Sequence, residues 1–353
     1  MNSTLRKTFR GEIIHSRLFM PDMGMMGQAK DTCTEEAPNH MELTGSTFFF
    51  PWEVSLMEWI QNHLSSTGLS IVSFCSSFGE ELLLILLLGY LYWCWDKRIG
   101  KRIGLNVLMG LVWNPMIKNV FLRRRPYFDH EGIHILRKVE PGQDEMDIAA
   151  QGFSFPSGHS TNAVTTYGSL GMEFRKKWLT VLAVLLPLLV GISRVSVGAH
   201  YPTDVLVGWL LGLVVILLVP FLRARLQNTA AFYGVLLLTV IPGFFYCRSA
   251  DFFTGAGMLI GFMAGTLLEE KKVHFEKTRS VPVSILRIVL GFVVYFVLNT
   301  VLKLPFPKAF LDSGTTAAML VRTVRYAVIL FVEFGVYPMA FPWLDRVMGK
   351  KAA

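Results

Sequence analysis

Three short groups of polar residues, far apart in the chain, could together bind and transfer a phosphoryl group. They lie within residues 118–126, 156–159 and 193–204. Lysine and arginine bind phosphate oxygens, and histidine can act as a nucleophile or as a general acid and base. The residues from which we expect this chemistry are Lys118, Arg125, Ser157, Gly158, His159, Arg194, His200 and Asp204.

The first group supplies two cations. Lys118 and Arg125 are seven residues apart, which on a helix is two turns and about 10 Å of rise on nearly one face. Pro126 disfavours helix at the residue before it, so we expect Lys118 deeper in a pocket and Arg125 at its rim. The other interpretation is a basic helix end whose side chains reach lipid headgroups.

The second group resembles the start of a helix. Ser157 is a good N-cap, and Gly158 would leave bare N–H groups at the positive end of the helix, where an anion binds. His159 would then lie beside that anion. An ordinary capped helix with a histidine at the membrane interface is the alternative.

The third group combines a guanidinium, an imidazole and a carboxylate. Pro202 predicts a helix that begins just after His200, with Asp204 in its first turn. A carboxylate near an imidazole fixes its tautomer and leaves the other nitrogen free to attack. Arg194 offers a planar fork to phosphate oxygens. The alternative is a structural role, in which these polar residues cap two helices.

The elements that must position these groups are apolar. The chain has 353 residues, of which 52% are hydrophobic, and a helix needs about 20 apolar residues to cross a bilayer. We therefore predict an all-α polytopic transmembrane bundle of about eight to ten helices. The predicted spans are 69–95, 103–122, 157–174, 178–198, 203–223, 229–247, 252–268, 283–302 and 318–340.

Three regions follow from this division. Residues 1–50 form a polar arm, either disordered or preceding a true start near Met41. Residues 51–226 form the catalytic core, which an amphipathic helix opens, and residues 227–353 form a C-terminal extension. Ionisable residues within the spans, such as Arg287 and Glu333, are expected to pair inside the bundle.

The net charge of +8 follows membrane topology. Basic residues concentrate in alternate connections, which predicts the N-terminus outside, the C-terminus in the cytoplasm and all three polar groups on the outer face. The run Arg123–Arg125 is an exception on that face, and anion binding would explain it. No basic stretch is interleaved with aromatics as a nucleic-acid channel requires, so nucleic acid is not an expected partner.

The motifs K-x6-R-P, P-S-G-H and S-R-x5-H-x3-D resemble the signature of the type 2 phosphatidic acid phosphatase (PAP2) superfamily of membrane-bound lipid phosphate phosphatases. The resemblance covers about residues 70–225, and every signature position is filled. It implies a six-span core followed by about three further C-terminal spans. It implies that His200 forms a phosphohistidine, that Asp204 orients His200, and that His159 is the general acid and then the base. The phosphate would be held by Lys118, Arg125, Ser157, Gly158 and Arg194.

The resemblance therefore implies a phosphatase that cleaves a lipid phosphomonoester or diphosphate without a metal or other cofactor. Membrane lipids are its expected partners. Two alternatives remain: a phosphatase of a soluble sugar phosphate, as in the glucose-6-phosphatase branch, and a non-catalytic relative that acts as a transporter or scaffold. The C-terminal extension resembles the longer members of the family in span count only, so the substrate stays open. The sequence also leaves the oligomeric state open.

Overall fold

A computed structural model describes residues 45–139, 142 and 144–347 of the chain. The predicted arm therefore lies outside the described residues up to position 44. Within the described part all regular structure is helical, and the one extended pairing is an isolated bridge between Ser46 and Arg123. The predicted all-α class is confirmed.

The helices follow the apolar segments of the sequence. The α-helices of the described chain are α1 Pro51–His63, α2 Ser66–Ser76, α3 Glu81–Tyr90, α4 Lys97–Phe121, α5 Pro126–Asp129, α6 Ile148–Gln151, α7 Gly158–Ala163, α8 Ser169–Phe174, α9 Lys177–Ser196, α10 Pro202–Arg225, α11 Thr229–Val240, α12 Gly243–Tyr246, α13 Ala250–Leu268, α14 Val281–Val301, α15 Lys308–Leu311, α16 Thr316–Phe331 and α17 Phe341–Val347. Short 3-10 or π turns lie at Ser77–Gly79, Leu91–Trp95, Val164–Gly168, Glu269–Val273, Val332–Val336 and Tyr337–Ala340.

Several of these helices are long and apolar enough to cross a membrane, so the protein is an integral membrane protein. In the described chain there are six, namely Lys177–Ser196, Pro202–Arg225, Thr229–Tyr246, Ala250–Val273, Val281–Val301 and Thr316–Val347. The pair Ser66–Gly79 and Leu83–Trp95, bent by 43°, is a seventh candidate. The predicted spans at 103–122 and 157–174 are helical in α4 and in α7 to α8, so a count of nine spans stays a prediction.

Glycines permit the closest helix contacts. Gly257, Gly261 and Gly265 lie along one stripe of α13 against α16, and a Cβ on Gly261 would lie 2.2 Å from the carbonyl oxygen of Ala327. In the core, Gly208 of α10 lies so close to α7 that a Cβ would be 2.6 Å from the carbonyl oxygen of Ser157. Small residues thus bring these backbones together within one chain.

Two buried charges in the extension behave differently. The guanidinium of Arg287 donates to both carboxylate oxygens of Asp345 at 3.1 Å and to the carbonyl of Trp93 at 2.6 Å, so the expected pairing is confirmed there. For Glu333 it is wrong, because both of its carboxylate oxygens are buried and have no hydrogen-bond partner among the described residues.

Candidate active site

The end of α4 places Lys118 and Arg125 on different elements. The helix ends at Phe121, and Leu122 takes a left-handed conformation with φ of 50°. Arg125 is extended (φ −74°, ψ 154°) and caps α5, which Pro126 opens. The prediction of both cations on one helix face is therefore wrong. The restriction that proline imposes on its predecessor applies to Arg125, but the helix already ends at Phe121, four residues before it.

Backbone carbonyl groups nevertheless hold the guanidinium of Arg125 in place. Its Nε donates to the carbonyls of Gln151 and Gly152, each at 3.0 Å, and its Nη1 donates to the carbonyl of Ala199 at 2.9 Å. These contacts leave Nη1 3.3 Å from Nε2 of His200. The guanidinium is thus fixed beside the imidazole by backbone atoms from two other segments.

Asp204 faces the other nitrogen of the imidazole. Helix α10 begins at Pro202, as predicted, and Asp204 lies in its first turn. Its Oδ2 lies 3.5 Å from Nδ1 of His200 and accepts a 2.8 Å hydrogen bond from the amide of Tyr201. The His200 Nδ1 makes no hydrogen bond to a described residue, so the pair is close but not tightly joined. Such contacts often shorten when substrate binds.

The protonation of His200 follows from these neighbours. A guanidinium has no acceptor atom, so Nε2 must carry the lone pair and Nδ1 the proton of the neutral ring. Burial, and after it the charges of Arg125, Arg194 and Lys118 and the ring of His159, hold the pKa of His200 well below its usual value. The imidazole is therefore neutral at pH 7, with the lone pair of Nε2 directed at Arg125.

Arg194 has unused donors at the same place. It lies in the last turn of α9 and is 2% exposed. Its Nη1 donates to the hydroxyl of Ser76 at 3.0 Å, whereas its Nε and Nη2 are buried with no acceptor in the described chain. Buried donors without a partner are costly. An incoming oxyanion would remove that cost.

The start of α7 completes the cluster. Ser157 is its N-cap, as predicted, and its hydroxyl oxygen accepts from the amide of Ser160 at 3.4 Å. Its own amide donates to the carbonyl of Asp204 at 2.9 Å, which ties α7 to α10. His159 and Lys118 are half-buried and close enough for their charges to act on His200. A Cβ on Gly158 would meet only the side chain of Asn114, at 3.7 Å.

The basic run does not act as a unit. Arg124 pairs with Asp129, and Arg123 pairs with Glu53 and Asp204. Of the three arginines only Arg125 faces the imidazole, so the interpretation of the whole run as an anion site is wrong. Sequence reasoning missed Arg123 and Glu53 as neighbours of the site, because residues 70 apart share no spacing signal.

Metal ligands are absent from the cluster as described. Among residues 45–139, 142 and 144–347, no three His, Cys, Asp or Glu side chains lie close enough together to hold a metal ion. The polar groups that converge here are instead cations and imidazoles, which suit an anionic ligand.

The fold and the site define a helical membrane protein in which arginine and lysine side chains gather near a buried histidine. Comparison with known families then gives the family. Residues 100–227 match the PAP2 superfamily. Residues 253–350 match the transmembrane extension of PAP2 superfamily phosphatases. The chain belongs to the PAP2 superfamily and is a phosphatase of phosphate esters.

Curated relatives are lipid phosphatases. The chain is 28% identical to an undecaprenyl-diphosphatase of Sulfolobus acidocaldarius over 54% of this chain and 85% of that protein. It is 31% identical to the undecaprenyl-diphosphatase BcrC of Bacillus subtilis over 47% and 79%, respectively. It is 32% identical to a decaprenylphosphoryl-5-phosphoribose phosphatase of Mycobacterium tuberculosis over 45% and 84%. The chain has no significant match among solved structures.

Proposed function

We propose that the protein hydrolyses a lipid phosphomonoester or diphosphate through a phosphohistidine on His200, without a metal ion. The observation that carries the proposal is the placement of the imidazole between Arg125, 3.3 Å from Nε2, and Asp204, 3.5 Å from Nδ1. An oxyanion held by Arg125 would bring its phosphorus within reach of the Nε2 lone pair.

In the first step Nε2 of His200 attacks phosphorus, a P–N bond forms and the P–O bond to the lipid breaks. His159, once it is protonated beside the bound anionic substrate, donates that proton to the leaving oxygen. In the second step His159 takes a proton from water, the water oxygen attacks phosphorus, and the P–N bond breaks to release phosphate. Asp204 stabilises the positive charge that the imidazole gains.

The cations of the site stabilise the charge on the transferred group. The positive charges of Arg125, Arg194 and Lys118 all act on the ring of His200, and Ser157 and the Gly158 amide lie at the start of α7. Fixed donors around a phosphoryl group in a site with little water are the main source of catalysis in phosphoryl transfer. Side-chain cations can therefore supply the charge that Mg²⁺ supplies elsewhere.

The names of the relatives support a polyprenyl phosphate as the substrate of this protein. Two of the relatives described above are named for undecaprenyl diphosphate and one for a decaprenyl phosphate ester. A membrane-embedded chain whose polar site lies at helix ends would admit such a lipid from the side, with its tail still in the bilayer. The distribution of basic loops supports the proposal that this site lies on the extracytoplasmic face and that the C-terminus is in the cytoplasm.

The test is phosphate release by the purified protein in detergent with EDTA present. The panel comprises undecaprenyl diphosphate, phosphatidate, phosphatidylglycerophosphate, sphingosine phosphate and glucose-6-phosphate. We expect release from a lipid, abolished in His200→Ala and retained in the matched control His134→Ala, which removes an exposed histidine.

Each other outcome of this panel has a defined meaning. Release from glucose-6-phosphate alone would assign a soluble substrate. Activity of His200→Ala near that of the wild type would refute the phosphohistidine, and loss of activity in EDTA would refute metal independence. No release from any substrate would favour a transporter or scaffold.

A further inference from the structure

A fully buried arginine joins the site to the first helix of the described chain. Arg123 is 0% exposed, and its Nη1 donates to Oδ1 of Asp204 at 2.7 Å while its Nη2 donates to Oε2 of Glu53 at 2.8 Å. Its guanidinium lies 3.8 Å from the ring centroid of Tyr201 and 4.5 Å from that of Phe48. One planar fork thus bridges two carboxylates between two aromatic rings.

Both carboxylate oxygens of Glu53 accept hydrogen bonds. Besides the arginine, its carboxylate accepts from the Phe50 amide at 3.0 Å and from the amide and hydroxyl of Thr203 at 2.9 and 2.6 Å. Burial tends to raise the pKa of Glu53, but the hydrogen bonds from Thr203 and Phe50 and the charge of Arg123 leave it lowered. Glu53 is therefore ionised and holds the first turn of α10, next to Asp204.

The rest of α1 is arranged to keep this contact. Met57, one turn after Glu53, is buried against Val195, Tyr201 and Val205. The opposite side of α1 presents Trp52, Leu56 and Trp59, which are 51%, 39% and 60% exposed. Exposed aromatic residues beside membrane spans suit the headgroup layer. One face of α1 thus packs on the site and the other faces outward.

The charges of the bridge suit the proposed reaction. Asp204 is held by two donors, Arg123 on Oδ1 and the Tyr201 amide on Oδ2, so its position relative to His200 is fixed. Because Arg123 shares its single positive charge between two carboxylates, Asp204 keeps part of its negative charge. That charge can pair with the cationic imidazole that forms during phosphoryl transfer.

We propose that Glu53 and Arg123 are positioning residues, which hold Asp204, and through it His200, in the geometry for attack on phosphorus. Helix α1 is then part of the active site, because Glu53 acts on Asp204 through Arg123. This inference rests on the proposed function, since it assigns Asp204 the role given there.

The test compares Glu53→Gln, Arg123→Lys and the double variant with Arg287→Lys as the matched control. Arg287 is also a fully buried arginine bound to a carboxylate, but it lies in the extension. Glutamine keeps the shape of Glu53 without its charge, and a lysine ammonium cannot form the two-sided fork. We measure kcat, KM, the rate of phosphohistidine formation in a single turnover, and the thermal midpoint.

We expect kcat and the rate of phosphohistidine formation to fall about tenfold to a hundredfold in both single variants, the range typical of groups that orient a reacting residue. KM should stay within about twofold, since binding contacts are unchanged. The double variant should be no slower than the slower single variant, because the two residues act as a unit. Arg287→Lys should lower the thermal midpoint and leave kcat per folded molecule unchanged.

Three results would overturn the inference: wild-type kcat in Glu53→Gln and Arg123→Lys with only the thermal midpoint lowered, a raised KM at constant kcat, or additive losses in the double variant. Failure of the proposed function is separate. If the wild type forms no phosphohistidine, the mechanism itself is wrong, whereas a normal phosphohistidine in all variants rejects only the role of the bridge.

Discussion

The Nη1 atom of Arg125 lies 3.3 Å from the Nε2 atom of His200. Since the guanidinium can only donate, the contact fixes the lone pair of the imidazole on the side where the cations gather. In the proposed mechanism, an oxyanion bound by Arg125 would lie next to this lone pair. Substrate binding and attack by His200 would then depend on the same guanidinium.

Arg125→Lys should lower kcat/KM about a hundredfold to a thousandfold, the loss typical when one fixed donor to a transition-state oxyanion is removed. Lysine keeps the charge but cannot contact the carbonyls of Gln151 and Ala199 as the guanidinium does. Steady-state kinetics on the lipid identified by the panel checks this. Arg102→Lys, which changes an exposed arginine paired with Glu173, is the control, and equal activity of both variants would contradict the prediction.

His200 should make stability depend on pH. Its pKa is lowered in the folded protein, with burial as the main cause, whereas the unfolded value is about 6.5. Above that value both states are neutral and the contribution is constant. As pH falls below it, the unfolded state binds the proton first, so the free energy of unfolding decreases by up to about 1.4 kcal/mol per pH unit.

The measurement is the thermal midpoint in detergent between pH 5 and 8 for the wild type and for His200→Gln, in which no imidazole titrates. The midpoint of the wild type should fall more steeply below about pH 6.5 than that of the variant. All other titrating groups are shared by the two proteins. Parallel curves would show that His200 is not held neutral by the fold.

Local signals in the sequence predicted the parts of the site that lie at helix starts. Pro202 and Ser157 mark the first turns of α10 and α7, and both helices begin there. These starts depend on backbone chemistry within a few residues, which a single sequence displays. The convergence of the three motifs also followed, because His200 lies among the cations that those motifs contribute.

Contacts made across the fold could not be predicted in the same way. The bridge from Glu53 through Arg123 to Asp204 joins residues whose spacing carries no period. The position of Arg125 depends on the left-handed backbone of Leu122. The sequence does not signal this conformation, because position 122 is not a glycine or asparagine. The sequence also could not show that Glu333 lacks a partner. A carboxylate in an apolar segment does not reveal which residues of other helices face it.

Gly261→Ala should destabilise the extension. Its Cβ would lie 2.2 Å from the carbonyl oxygen of Ala327, a backbone atom of α16 that cannot move alone. Overpacking of this kind typically costs about 1–3 kcal/mol.

Gly234→Ala is the matched control, because a Cβ there meets nothing within 4 Å. Alanine in a helix is favoured over glycine by about 0.5–1 kcal/mol. A lower thermal midpoint is expected for Gly261→Ala only, and equal midpoints would mean that α13 and α16 pack less closely than described.

Glu333→Leu should raise the thermal midpoint. Both carboxylate oxygens of Glu333 are buried without a partner among the described residues, and such a group costs about 1–3 kcal/mol. Leucine removes that cost in a surrounding that includes Leu330 and Phe334.

Glu269→Leu is the contrasting control, because Glu269 is equally buried but its carboxylate accepts a hydrogen bond from Nζ of Lys97 at 2.6 Å. Its removal leaves the ammonium without its carboxylate, so the midpoint should fall. If Glu333→Leu instead destabilises the protein or abolishes phosphate release, the carboxyl group has a partner in the membrane, and its burial is functional rather than a tolerated cost.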